Sequence, residues 1–364
     1  MNNESLLLLR LISENKSLNE ISSILGLSNK HIHMRLSMLR NSGYLFDREY
    51  FYNGEINYLF HNPLTPDNDI PIIKFPENEN IIKVMLVSDT HLGHINDSIE
   101  CIDSMYNYCA KEGIHIILHA GDFFEGIFDS RKKLCKFTNA EDQISYGLKK
   151  YPYDKNILNF ILLGNHDATF MTEAGIDIKN VILDRRPDLI PIGYGYSYIV
   201  LKNYMILIRH QKQNIKIKNP IQNNIIYLYG HSHSYSANHG DNTVSIHIPS
   251  LSFTTTSNII NPLPSMIEMT LRIKNNYIYN EDFKQFIFDN NNNPICISNI
   301  NYNIPIKETI LDTQNERIIP NLLKKENCNV KKTKIDYKNM SQIEKFNARY
   351  NISDEKDVKS LIKK

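Results

Sequence analysis

Residues 156–167 read NILNFILLGNHD, an apolar run broken only by Asn159 and closed by a glycine and three side chains able to bind metal or move protons. A short, nearly continuous run of this kind is what a strand covered on both faces requires. The form recurs at 81–89 (IIKVMLVSD) and 114–122 (IHIILHAGD), and again at 204–210 (YMILIRH) and 224–231 (NIIYLYGH). Helical stretches separate the first three, at 98–113 and 138–150. The second of these has an expected capping box from Thr138 to Glu141. Strands alternating with helices predict a layered α/β domain whose polar residues gather at the carboxyl ends of the strands, where functional sites collect.

Five runs end in Asp89-x-His91, Gly121-Asp122, Gly164-Asn165-His166-Asp167, His210 and Gly230-His231-x-His233. Any one of these is weak, because a strand-end histidine is more often a satisfied core residue than a ligand. Together they place carboxylate, amide oxygen and imidazole after each of five strands. Phosphoester hydrolysis needs a nucleophile at neutral pH and neutralised phosphoryl oxygens, and two metal ions about 3.5–4 Å apart supply both. Two such cations repel, so a carboxylate between them is wanted. The mixed oxygen and nitrogen set suits Mn, Fe, Zn, Ni or similar ions, and the absence of cysteine argues against soft-metal sites. Gly121, Gly164 and Gly230 are expected to let the backbone turn sharply as each strand delivers its ligand.

This set, with DTH, GD, GNHD, a strand-end histidine and GHSH, resembles the calcineurin-like metallophosphoesterase superfamily over roughly residues 81–250. The resemblance implies a metallophosphoesterase-type β-sandwich flanked by helices. It implies that Asp89, His91 and His233 hold a first divalent metal ion, that Asp122 bridges, and that Asn165, His210 and His231 hold a second. His166 would contact the phosphate or protonate the leaving oxygen, with Asp167 orienting its ring. His94, His115, His119, His239 and His247 are left as structural or surface residues, although His94 follows HLG closely enough to touch substrate. SDTHLGH and GDFFEG are similar in wording to the DNA double-strand-break repair exonucleases of the superfamily. HLG also occurs in its lipid-nucleotide hydrolases.

Residues 1–60 read differently. A leucine-dense helix (4–14) precedes SLNEISSILGLS, with a capping box from Ser17 to Glu20. NKHIHMRLSMLRNSG follows, capped by Ser28 and ending at Gly43. Leu18, Ile21, Ile24 and Leu25 form one stripe of the second helix. In the third, Ile32, Leu36 and Leu39 are expected inward and Lys30, His31, His33 and Arg35 outward. Two strands around Asn53-Gly54 then signal a hairpin with a type I′ turn. The order resembles a small N-terminal winged helix-turn-helix domain. Its basic and acidic side chains balance, where a dedicated DNA reader is usually more basic, so a protein-docking or homodimer role stands beside nucleic-acid contact.

The expected organisation is 1–60 winged helix, 61–80 proline-rich linker, 81–304 catalytic domain with further strands after 251, and 305–364 a basic extension. Over the whole chain 41 basic side chains meet 40 acidic ones, so no global field attracts nucleic acid or membrane. Five scattered cysteines and the absence of a signal-peptide pattern or an 18-residue apolar run predict a cytoplasmic protein without membrane contact. The expected activity is phosphodiester hydrolysis, a nuclease acting on DNA with nucleic acid as partner. The alternative is a phosphatase or phosphodiesterase on nucleotides or phosphoproteins whose winged helix dimerises. A catalytically dead regulator is disfavoured, because every ligand position is filled by a competent residue.

Overall fold

The computed structural model describes residues 3–44, 46–60, 71–76, 78–186, 188–201, 204–211, 225–240, 243–254, 263–274 and 277–303. The expected 305–364 extension and most of the expected linker lie outside these residues.

The first unit contains α1 (Asn3–Ser13), α2 (Leu18–Leu25), α3 (Asn29–Asn41) and a hairpin of β1 (Phe46–Phe51) and β2 (Ile56–Phe60), the order read from the sequence. Ser17 and Glu20 make the reciprocal capping box, and the Ser28 side chain caps α3. Leu8, Ile12, Leu18, Ile21, Ile32, Leu36 and Leu39 are buried together, while Ile24 is exposed. His33 corrects the expected outward face of α3. It is 7% exposed, its Nδ1 lies 2.8 Å from the Tyr58 hydroxyl, and the two rings meet edge to face. Arg35 is ion-paired to Glu4 at 2.6 Å, which leaves Lys30 and His31 as the exposed pair of the four.

The segment read as a linker contains a strand. β3 (Ile72–Lys74) lies between Pro71 and Pro76 and pairs in parallel with β1 on one side and β8 (Tyr196–Leu201) on the other. Prolines therefore flank the strand without removing its ladder donors. The hairpin becomes the end of an eight-stranded sheet. Its order is β11 (Ser236–His239), β12 (Thr243–His247), β10 (Ile225–Tyr229), β9 (Tyr204–Arg209), β8, β3, β1 and β2. The turn also packs directly on the catalytic part. Gly54 has φ +84°, and a Cβ there would lie 2.2 Å from the Asn156 carbonyl oxygen. Tyr50 meets Phe160 edge to face, and Ser37 donates to Asp184.

The second sheet has seven strands, in the order β15 (Pro294–Asn303), β14 (Tyr277–Phe288), β13 (Ser265–Lys274), β4 (Ile81–Val87), β5 (Ile116–His119), β6 (Leu158–Leu163) and β7 (Leu189–Tyr194). Alternation along its central strands builds two cores. Ile82, Val84, Leu86, Ile116, Leu118, Phe160 and Leu162 pack with Ile206, Ile208 and Leu228 of the other sheet. Met85, Val87, Ile117, Ile161 and Leu163 face a helical layer that includes α4 (Ile99–Glu112), α5 (Ala140–Lys150), α6 (Asn165–Ala174) and α7 (Ile178–Arg185). The N-cap of α5 is Asn139, which accepts from the Glu141 amide, one residue beyond the expected Thr138. The result is a mixed α/β fold with two sheets. Among the described residues no helix is long and apolar enough to cross a membrane.

Burial, then the positive charges of Arg48 and Arg40, lower the pKa of His33 from 6.5 to about 3. The unfolded chain therefore takes up this proton first, and stability falls as pH drops below 6.5, by up to about 1.4 kcal/mol per pH unit. Denaturant unfolding at pH 7 and pH 5 is expected to show a loss about 2 kcal/mol larger for the wild type than for His33→Gln. Equal losses would mean that His33 is already charged in the fold.

Candidate metal centre

Both sheets deliver side chains to one edge. The parallel strands β4, β5 and β6 end just before Asp89 and His91, Asp122, and Asn165 and His166. The parallel strands β9 and β10 end just before His210, and before His231 and His233. The loops after β4 and β5 are stitched together by hydrogen bonds from the Asp89 amide to the Gly121 carbonyl, His91 to Asp122, and Leu92 to Phe123.

The side chains converge as three groups able to hold a metal ion: Asp89 with His91 and His233, Asp122 with His210 and His231, and His91 with Glu125 and His166. His233 Nε2 lies 3.2 Å from Asp89 Oδ1, His91 Nε2 lies 3.3 Å from His233 Nε2, and His210 Nε2 lies 2.9 Å from Asp122 Oδ2. His210 Nε2 is also 3.9 Å from Asp89 Oδ1, so the groups adjoin. Asn165 is buried beside them at the start of α6. Asn165 Oδ1 is buried without a hydrogen-bond partner, and Asp89 Oδ1 and His210 Nε2 meet only other members of the cluster. Buried polar atoms are rarely left so, and lone pairs converging on one place are what a cation would satisfy. The residues fit divalent metal.

Electrostatics agree with that fit. Burial opposes the ionisation of Asp89, yet His233 and His210 hold its pKa below the usual carboxylate range. Asp122 is lowered in the same way by His210 and His166, again against burial. His210 is itself raised to about 9, because Asp122 and Asp89 outweigh its burial. Burial and then His166 lower His91, and burial and then His210 lower His231. Metal binding requires neutral imidazoles, so a cation here would compete with protonation of His210.

Gly121 turns as expected, with φ +109°, while Gly164 and Gly230 work differently. Gly164 has φ −91° and no left-handed turn. A Cβ there would lie 2.1 Å from Asp122 Oδ1, one at Gly230 2.3 Å from Ser88 Oγ, and one at Gly121 2.2 Å from His210 Nδ1. They make room for the ligands. Left-handed turns fall on candidate ligands as well: Asp89, His91, Asp122, His231 and His233 have φ between +45° and +69°.

Asp167 is also corrected. Its carboxylate accepts from the amides of Phe123, Phe124 and Gly164, so it pins the β5 and β6 loops together and does not orient the His166 ring. Burial and the charge of Asp122 raise its pKa to about 7, against those three amides. The His166 ring is instead fixed by donation from Nδ1 to the Glu125 carbonyl oxygen at 2.6 Å, which turns Nε2 toward Asp122 Oδ2, 3.9 Å away. The Glu125 side chain accepts from His91 Nδ1 at 2.9 Å and orients that ligand. Glu125 and its partner Arg131 were not singled out in the sequence. Glu125 stood in plain view in GDFFEG, but its partners are distant in the chain. His94 and His119 are buried: Asn96 donates to His94 Nδ1, and Thr90 and Gly121 meet the two nitrogens of His119.

His166→Ala is expected to leave metal content unchanged and to slow hydrolysis by roughly 10²–10⁴-fold, the usual worth of a positioned acid. The loss should shrink on a nitrophenyl ester, whose leaving group needs no proton. Loss of bound metal in the variant would make His166 a ligand.

No curated protein matches the chain. Similar solved structures include vacuolar protein sorting 29 of Cryptosporidium parvum, at 13% identity and TM-score 0.39, covering 62% of this chain and 100% of that one. GAP50, the anchor in the inner membrane complex of Plasmodium, is similar at 11% identity and TM-score 0.35, with 64% and 91% covered. The nuclease MPE of Pseudomonas putida is similar at 15% identity and TM-score 0.30, with 59% and 87% covered. The sequence model of the calcineurin-like phosphoesterases matches residues 82–266, half of the chain. The protein belongs to this family of metal-dependent hydrolases of phosphoester bonds.

Proposed function

We propose that the protein is a two-metal phosphodiester hydrolase acting on nucleic acid, most directly a DNA nuclease, with residues 1–60 as a winged helix that targets it. Asp89, His91 and His233 would hold one divalent ion, Asn165, His210 and His231 the other, and Asp122 would join them; Mn²⁺ suits this set best, with Fe, Zn or Ni as substitutes. When bound, the ions supply a nucleophile at neutral pH and charge neutralisation at the phosphoryl oxygens. The chain's own part is to hold His166 with its Nδ1 proton committed to Glu125, so that Nε2 is the atom that gives a proton to the leaving oxygen. Phe128 packs edge to face on the His166 ring, the centroids 4.8 Å apart.

The observation that carries the nucleic-acid part is the continuous sheet. Through β3 the N-terminal hairpin is hydrogen-bonded into the sheet whose β9 and β10 supply His210 and His231. A polymer held by the first unit would therefore be held in fixed register with the centre. Small substrates need no such frame. One observation favours the second reading, dimerisation: Met34 and Met38 on the outer face of α3 are 53% and 63% exposed.

With Mn²⁺, labelled DNA is expected to be cleaved in preference to free nucleotides or a phosphopeptide. Binding of a catalytically silent His166→Ala protein to DNA should weaken with salt, and Lys30→Ala should reduce the slope of log K against log salt by about 1. Unchanged affinity and slope, with a dimer that falls to monomer on Met38→Asp, would support the dimerisation reading instead.

A further inference from the structure

Between β5 and α5 the chain runs as a strap along one side of His166, and the strap is pinned at both ends. Gly126 exchanges hydrogen bonds with the Gln143 amide, and Ile127 donates to Thr169 Oγ1 at 2.7 Å. At the far end Lys136 donates its amide to Gly93 and its ammonium to the buried Asp97, which also accepts from the Gly93 amide. The middle is a short 3₁₀ helix, Asp129–Leu134, carrying Arg131, Lys132 and Lys133, the two lysines exposed. Arg131 Nε lies 2.9 Å from Glu125 Oε1, and its Nη1 lies 3.3 Å from His166 Nε2. With His166 Nδ1 committed to the Glu125 carbonyl, Arg131 Nη1 can donate to Nε2 only while the ring is neutral, and it must yield that place once Nε2 carries the proton to be delivered.

Position decides what this arginine reads. If Nε2 protonates the leaving oxygen, a cation touching Nε2 from the strap stands on the leaving-group side of the reacting phosphorus. We infer that Arg131, backed by Lys132 and Lys133, forms a subsite for a leaving group that bears its own phosphate, as a nucleotide in a chain does and a neutral alcohol does not. A guanidinium matches phosphate oxygens in paired hydrogen bonds that an ammonium cannot reproduce. Glu125 balances the charge of Arg131 and fixes its place until the substrate phosphate arrives. The strap's pinned ends keep the subsite in register with the acid. This inference rests on the phosphodiester reading above and narrows it to polynucleotides and their ends.

The test compares kcat/KM of the full-length Mn²⁺ enzyme on thymidine dinucleotides carrying a 5′-phosphate, a 3′-phosphate or neither, with bis-nitrophenyl phosphate alongside. The wild type is expected to favour one phosphorylated dinucleotide over the plain one by about 10–100-fold, the range for charged hydrogen bonds. Arg131→Gln should abolish that preference, Arg131→Lys should keep part of it, and both should retain the wild-type metal content. A preference that survives in Arg131→Gln overturns the inference, as does an equal loss on all substrates. Loss of metal would overturn it too, since Arg131 would then act through Glu125 on His91. Cleavage of bis-nitrophenyl phosphate but of no dinucleotide would instead sink the nucleic-acid reading on which it rests.

Discussion

Two carboxylates, Asp89 and Asp122, lie wholly buried where the edges of two sheets meet, and the architecture around them exists to keep them there. An unpaired buried carboxylate is costly, and two neighbours also repel. The structure meets this with His210 reaching toward both, and with amides of His231 and His166 donating to Asp89 and Asp122. The second of these amides belongs to the first turn of α6, where the helix dipole favours an anion. Backbone strain is concentrated at the same place. Of the seven non-glycine residues with positive φ among those described, five are candidate ligands. Each costs on the order of 1–2 kcal/mol in a free chain, so the surrounding ladder must over-determine it.

That constraint explains the glycines, which sit where a ligand must pass at van der Waals distance. It also explains Asp167. Drawing the Asp122 loop and the Asn165 helix together leaves the amides of Phe123, Phe124 and Gly164 pointing at one place, and a carboxylate satisfies all three. Asp167 is thus a fastener of the frame, and His166 beside it is oriented by a carbonyl.

The strands and the candidate ligands that close them were legible because burial on both faces demands unbroken apolar runs, and polar residues recur after five of them. The caps of α2 and α3 and the hairpin around Asn53-Gly54 were legible from local signals, although the α5 cap fell one residue later and Asn53 lacks the positive φ of a type I′ turn. What escaped was set by distant partners. His33 looks like an exposed residue of α3 until Tyr58 comes to lie against it. Glu125 and Arg131 gain meaning only when their loop folds over His166. β3 is three residues between prolines, strand-like only because β1 and β8 stand on either side. Its effect is large, since it makes the N-terminal unit and the metal edge parts of one sheet.

The central claim is that this edge holds two ions joined through Asp122. Anomalous diffraction at the manganese edge, from crystals grown with Mn²⁺, tests it most directly. The account predicts two peaks within about 4 Å of each other, one bordered by Asp89, His91 and His233, the other by Asn165, His210 and His231, with Asp122 reaching both. A single peak, or a second one out of reach of Asp122, would contradict it.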